Sequence, residues 1–82
     1  MTNKLFIGNL LHGVTDKQLQ KHFSIVGKVV SAKVIIDNEG LGKGYGFVEM
    51  SSIEEAQKAK STLNHTEIDG KKIEIKDEKH QP

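Results

Sequence analysis

Residues 43–50 read Lys43-Gly44-Tyr45-Gly46-Phe47-Val48-Glu49-Met50, and this stretch decides the fold. In an extended strand, alternate side chains point to opposite faces. Gly46, Val48 and Met50 therefore share one face, and Tyr45, Phe47 and Glu49 share the other. An earlier segment, Lys4-Leu5-Phe6-Ile7-Gly8-Asn9-Leu10, divides in the same way. Leu5 and Ile7 lie on one face, and Lys4, Phe6 and Gly8 on the other. Unpaired charges are rarely buried, so Lys4 and Glu49 mark the aromatic-bearing faces as the wet ones. Aromatics left in water on a sheet suit stacking against nucleic-acid bases.

These two segments resemble the signatures of the RNA recognition motif. Leu5 to Leu10 (LFIGNL) is similar to its hexapeptide, and Lys43 to Met50 (KGYGFVEM) to its octapeptide, K/R-G-F/Y-G/A-F-V-x-F/Y. Only Met50 departs from the octapeptide, and by parity it faces the core, where the change touches packing rather than binding. The spacing between the segments suits one helix and one strand, and the resemblance covers nearly the whole chain. It implies an α+β, ferredoxin-like βαββαβ fold: a four-stranded antiparallel sheet in the order four, one, three, two, with two helices packed on one face. It further implies that Phe6 and Phe47 each stack under a base, that Tyr45 packs against the intervening sugars, and that Lys43 pairs with phosphate. A chain opening at Met1 with VEM closing its octapeptide is similar to small stand-alone bacterial members of this family, with a module excised from a larger eukaryotic protein as the alternative.

The rest of the sequence fills in that frame. Thr15 begins a helix, with Gln18 completing a capping box and Val14 and Leu19 at the spacing of a hydrophobic staple. Leu19, Phe23 and Val26 form its apolar stripe, and Gly27 stops it. Phe23, the aromatic outside the motifs, has the spacing of a core residue. Residues 28 to 36 read as a β-branched strand with Val30, Ala32, Val34 and Ile36 inward and Ser31, Lys33 and Ile35 outward, although Val29 and Ile35 also permit a bulge. Asp37 to Gly42 is a polar, glycine-rich loop. Ser52 opens a second helix with Glu55 three residues on and Ala56, Ala59 and Leu63 on one face; Asn64-His65 ends it. Asp69-Gly70 turns into a last strand around Lys72 to Lys76, with Ile73 and Ile75 inward and Lys72, Glu74 and Lys76 outward. Residues 1–77 are expected to form one domain, and 78–82 a short polar tail that frays from about Asp77.

Composition narrows the function. The 82 residues make one small domain with no cysteine, which agrees with an intracellular protein: cytoplasmic for a bacterial chain, nuclear for a eukaryotic one. No apolar run is long enough for a membrane span and no signal-peptide pattern opens the chain, so a membrane partner is not expected. A formal net charge of +1 offers little sequence-independent attraction to phosphate, leaving stacking and hydrogen bonds as the main source of affinity.

Several constellations fail as chemistry. The glycines from Gly40 to Gly46 do not form a nucleotide loop: Gly44 follows Lys43 where a Walker loop needs Ser or Thr, and a strand follows where a dinucleotide loop needs a helix. They are expected to let a loop and the bases approach the backbone. His12, His22, His65 and His80 have no ligand spacing, so neither a metal nor a cofactor is expected. No nucleophile stands with a base, and no enzyme is read here.

The expected RNA-binding residues are Lys4, Phe6, Lys33, Lys43, Tyr45, Phe47 and Lys76, with Lys72 a further cation near the platform. Glu74 opposes phosphate, yet a carboxylate also accepts from a cytosine amino group. Asn9 faces either a base edge or its own turn. The expected partner is single-stranded RNA, roughly two to four nucleotides long, bound by a monomer; single-stranded DNA stays open because stacking tolerates either sugar. The rival reading is a protein-interaction module on the same fold, favoured by the near-neutral charge and opposed by the intact aromatic trio.

Overall fold

The computed structural model describes residues 2–11, 13–36 and 42–78, and only the backbone of Ile36, Gly42 and Lys43. Its elements are β1 (Lys4–Gly8), α1 (Asp16–Phe23), β2 (Val29–Ile36), β3 (Gly42–Met50), α2 (Ile53–Leu63), the short β4 (Glu67–Ile68) and β5 (Lys71–Lys72), and β6 (Glu74–Asp77). The main sheet runs β2-β3-β1-β6, antiparallel throughout. With β6 as the expected fourth strand, this is the order four, one, three, two read from the other edge. The fold is the expected ferredoxin-like α+β arrangement.

Strand parity builds the core. Leu5, Ile7, Val48 and Met50 from the two central strands are at most 1% exposed, and Leu19 and Phe23 of α1 and Ala56, Ala59 and Leu63 of α2 close over them. Met50 is fully buried, as its parity required. Gly46 has a close neighbour on this face. A Cβ there would meet the Lys33 carbonyl at 2.6 Å and Leu19 Cδ2 at 3.3 Å. Gly46 thus gives room to the β2 backbone and to Leu19 of α1, and does not, as expected, let a base approach it.

Both helices begin as the sequence indicated. The Thr15 hydroxyl accepts from the Gln18 amide at 3.2 Å, and the Gln18 side chain accepts from the Thr15 amide at 2.9 Å. The Ser52 hydroxyl accepts from the Glu55 amide at 3.1 Å. Glu55 does more than start a helix. Its carboxylate accepts from the Lys28 amide at 3.0 Å and from the Ser51 hydroxyl, pinning the turn that enters β2. These bonds, Ser51's foremost, hold the carboxyl below its ordinary range.

Four expectations are corrected. First, α1 ends at Phe23 rather than at Gly27. A Cβ at Gly27 would stand 2.7 Å from Glu55 Oε2, so this glycine serves the carboxylate's approach. Second, Val30 is not inward. A register shift between Val29 and Ser31 leaves Val29 opposite Met50 and packed on the core, while Val30 is 56% exposed. Third, the last strand of the sheet is Glu74–Asp77, and Lys72 belongs to a separate hairpin with Glu67–Ile68. Asp69 (φ 54°) and Gly70 (φ 89°) supply the paired positive φ of its turn. Fourth, Asp77 does not fray: it pairs with Leu5, and its carboxylate accepts from Lys60 Nζ and Gln57 Nε2, each at 3.1 Å. The loop expected at 37–42 lies outside the described residues as far as 41, and Gly42 already belongs to β3. His12, His80 and the tail from 79 to 82 also lie outside them.

Leu19→Ala is expected to cost roughly 2–5 kcal/mol and Val30→Ala less than about 0.5 kcal/mol, measured by denaturant unfolding. A second expectation concerns acid. His22 Nε2 lies 2.8 Å from the Thr66 hydroxyl, and burial lowers the imidazole below its ordinary 6.5. A depressed value favours the neutral ring in the folded state, so its contribution is complete above 6.5 and fades as pH falls toward the folded value. The melting temperature should therefore decline as pH falls below about 6.5, and His22→Gln should flatten that decline.

Candidate nucleic-acid interface

The face opposite the helices carries the residues that parity left in water. Cross-strand register arranges them in rows. Phe6 stands opposite Phe47 on one side and Lys76 on the other, and Phe47 in turn stands opposite Lys33. One row across all four strands is therefore Lys33, Phe47, Phe6, Lys76: two aromatics between two exposed cations. The next row holds Tyr45, Gly8 and Glu74. On the other side, Lys4 stands opposite Glu49 and Ser31 follows. Asn3 Nδ2 holds this end, donating to Glu49 Oε2 at 3.3 Å and to the Met50 carbonyl at 2.9 Å.

The rings form one partly exposed cluster. Phe6 and Tyr45 have centroids 5.6 Å apart with planes 27° from parallel. Phe47 meets Phe6 edge-on at 5.8 Å and Tyr45 at 6.0 Å. Edge-to-face and offset contacts of this kind add roughly 0.5–1.5 kcal/mol beyond area burial, which biases the rings toward this arrangement before any ligand arrives. Gly8 forms part of the floor. A Cβ there would stand 3.1 Å from Phe6 Cε1, so the Phe6 ring leans over the glycine toward the Tyr45 row.

Backbone turns frame the platform. Asn9 has φ 62° and its Nδ2 donates to the Lys72 carbonyl at 2.5 Å, so it shapes the strand end rather than facing a base. Gly44 has φ 89°, and its carbonyl accepts from the Leu10 amide at 2.9 Å. At the far end of β6 a cleft lined by Phe6, Phe47, Lys76, Asp77 and Glu78 opens beside the rings. The Lys60 ammonium is the main reason that the Asp77 carboxyl there is held below its ordinary value.

The structure thus brings together Lys4, Phe6, Lys33, Tyr45, Phe47 and Lys76 on one face. Lys43 lies in β3 with its side chain outside the described part, and Lys72 stands off the sheet in the hairpin. Sequence reasoning missed Gly8 as the floor under Phe6. The available signal was a glycine two residues after an aromatic, on the same face.

The family model for the RNA recognition motif matches residues 5–74. The chain belongs to the RNA recognition motif family. Its match to a chloroplastic 29 kDa ribonucleoprotein of Arabidopsis thaliana is 44% identical over 81 residues, covering 98% of this chain and 24% of that protein. The chain spans about a quarter of the length of the curated relatives it matches. Among solved structures, RNA Binding Protein PG1 superposes with a TM-score of 0.88 at 34% identity over 99% of both chains. The second such domain of yeast poly(U)-binding protein Pub1 gives 0.86 at 29% identity over 96% of both. An RNA recognition motif is an RNA-binding domain and not an enzyme, as expected from the missing catalytic constellation.

The two glycines of the central strands separate packing from platform. Gly46→Ala drives a Cβ into fixed backbone and should cost roughly 1–3 kcal/mol in unfolding. Gly8→Ala meets only a surface ring. It should change stability by less than about 1 kcal/mol while weakening the nuclear Overhauser contacts between the Phe6 and Tyr45 rings.

Proposed function

We propose that this RNA recognition motif binds single-stranded RNA on the open sheet face, with Phe6 and Phe47 each stacking under a base. Tyr45 packs against the sugars between them, and Lys43 pairs with phosphate. The observation that carries this reading is the in-register row Lys33, Phe47, Phe6, Lys76, which places two ring faces between two cations on the side away from the helices. Membership of an RNA-binding family supports it. Lys4, Lys33 and Lys76 add charge around the platform, and neighbouring Glu49 and Glu74 keep that charge modest.

The reading takes residues 1–77 as a monomeric domain and 78–82 as its tail. Chloroplastic relatives are intracellular proteins and support an intracellular setting. Placement in a cytoplasm is supported only by the likeness to small bacterial proteins. Single-stranded DNA competes as ligand to the extent that stacking ignores the 2′-hydroxyl, and a deoxy version of the bound oligonucleotide measures it.

Truncation variants provide the test. Phe47→Ala and Tyr45→Ala remove ligand contacts without opening a buried cavity, so each should weaken RNA binding about five- to 150-fold, or roughly 1–3 kcal/mol. Both should destabilise the fold less than Val48→Ala, whose side chain is 1% exposed on the opposite face. Normal RNA binding by Phe47→Ala would overturn the platform and favour the protein-interaction rival. With two or three lysines meeting phosphate, the slope of log affinity against log salt should be about −1.5 to −2, and Lys43→Ala should make it shallower by roughly 0.7.

A further inference from the structure

We propose, resting on the reading that this face binds RNA, that Glu74 and Lys76 select a guanine stacked on Phe6. Both side chains are exposed on β6, which borders β1. Lys76 stands opposite Phe6, and Glu74 stands opposite Gly8. The Phe6 ring does not stay over its own position. It leans over Gly8, where an added Cβ would find Cε1 at 3.1 Å and Cζ at 3.8 Å. The ring therefore lies between the two rows, with Tyr45 5.6 Å away on the β3 side and the Glu74–Lys76 pair on the β6 side. A base resting on Phe6 presents one edge to that pair, whose members are about 7 Å apart along the strand.

The chemistry of the pair is directional. A carboxylate only accepts, and its two oxygens match two parallel donors; an ammonium only donates. Guanine is the base whose Watson–Crick edge sets two donors side by side, N1–H and the N2 amino group, with the O6 acceptor next to them. Its donors fit Glu74 and its O6 fits Lys76. Cytosine and adenine each place a ring-nitrogen lone pair beside the amino donor, and uracil flanks its single N–H with two carbonyls. Each of these sets a lone pair against the second carboxylate oxygen, which leaves desolvated acceptors unmatched. The neighbouring polar group is already committed, since Asn9 Nδ2 donates to the Lys72 carbonyl. Among the described residues the one ion pair is Lys60–Asp77, so neither Glu74 nor Lys76 is paired with a described residue.

The test uses the full 82-residue chain and three labelled hexaribonucleotides in anisotropy titrations. One is oligouridine, one carries a single guanosine, and one carries a single inosine, which lacks the N2 amino group. The guanosine hexamer should bind at least about fivefold tighter than the inosine hexamer. Glu74→Ala should bring those two to within about twofold of each other while leaving oligouridine binding undiminished. Phe6→Ala should weaken all three. Equal binding of guanosine and inosine hexamers by a chain that still depends on Phe6 overturns the guanine selection and leaves the platform standing. So does a guanosine preference that survives Glu74→Ala. A chain that binds none of the hexamers overturns both.

Discussion

The structure depends on the two-residue period of its central strands. β1 and β3 each place bulky aliphatic side chains on one face and aromatics on the other, and a strand has no way to redistribute them without a register slip. Pairing Leu5 with Val48 and Phe6 with Phe47 therefore sorts the molecule into a dry side and a wet side at once. Everything else is a consequence of covering the dry side. Two short helices suffice because Ala56 and Ala59 let α2 come close and Gly46 does the same for α1. A single layer of helices then leaves the aromatic side open.

Leaving it open has a thermodynamic cost. Fully burying a Phe side chain stabilises a fold by roughly 1.5–3 kcal/mol, and Phe6, Tyr45 and Phe47 forgo part of that. Their mutual contacts recover some of it and hold the rings in fixed relation. Pre-set rings also spare a ligand the work of ordering them, which is why a stiff sheet makes a better stacking platform than a loop.

Most of this was legible before any coordinates. Parity alone assigned Leu5, Ile7, Val48 and Met50 to the core, and the Thr15–Gln18 box located the start of α1 to the residue. What was not legible depends on contacts distant in sequence. The bulge that turns Val30 outward follows from how β2 meets β3, and nothing local distinguishes Val29 from Val30. Gly27 reads as a helix stop because the carboxylate that needs its space comes from Glu55. The β4–β5 hairpin hid inside a strand-like run because its turn was readable but its first strand, Glu67–Ile68, is only two residues long. The site divides in the same manner. Its residues were named from faces, whereas their order in rows required the register.

Register also explains how a chain with a net charge of +1 can serve a polyanion. Coulombic attraction from a uniform basic surface would hold any strand anywhere, and would weaken steeply with salt. Here cations and carboxylates alternate across the open face: Lys33 and Lys76 flank the rings, while Glu49 and Glu74 occupy the adjoining rows. Such a surface attracts phosphate at few points and repels it at others, which under the proposed function favours a strand lying with its bases on the rings and its backbone away from the carboxylates. Under that proposal stacking supplies affinity that every base shares, and polar groups at the rim discriminate among base edges. A near-neutral platform gives up long-range capture, and in exchange the short-range contacts decide what is bound.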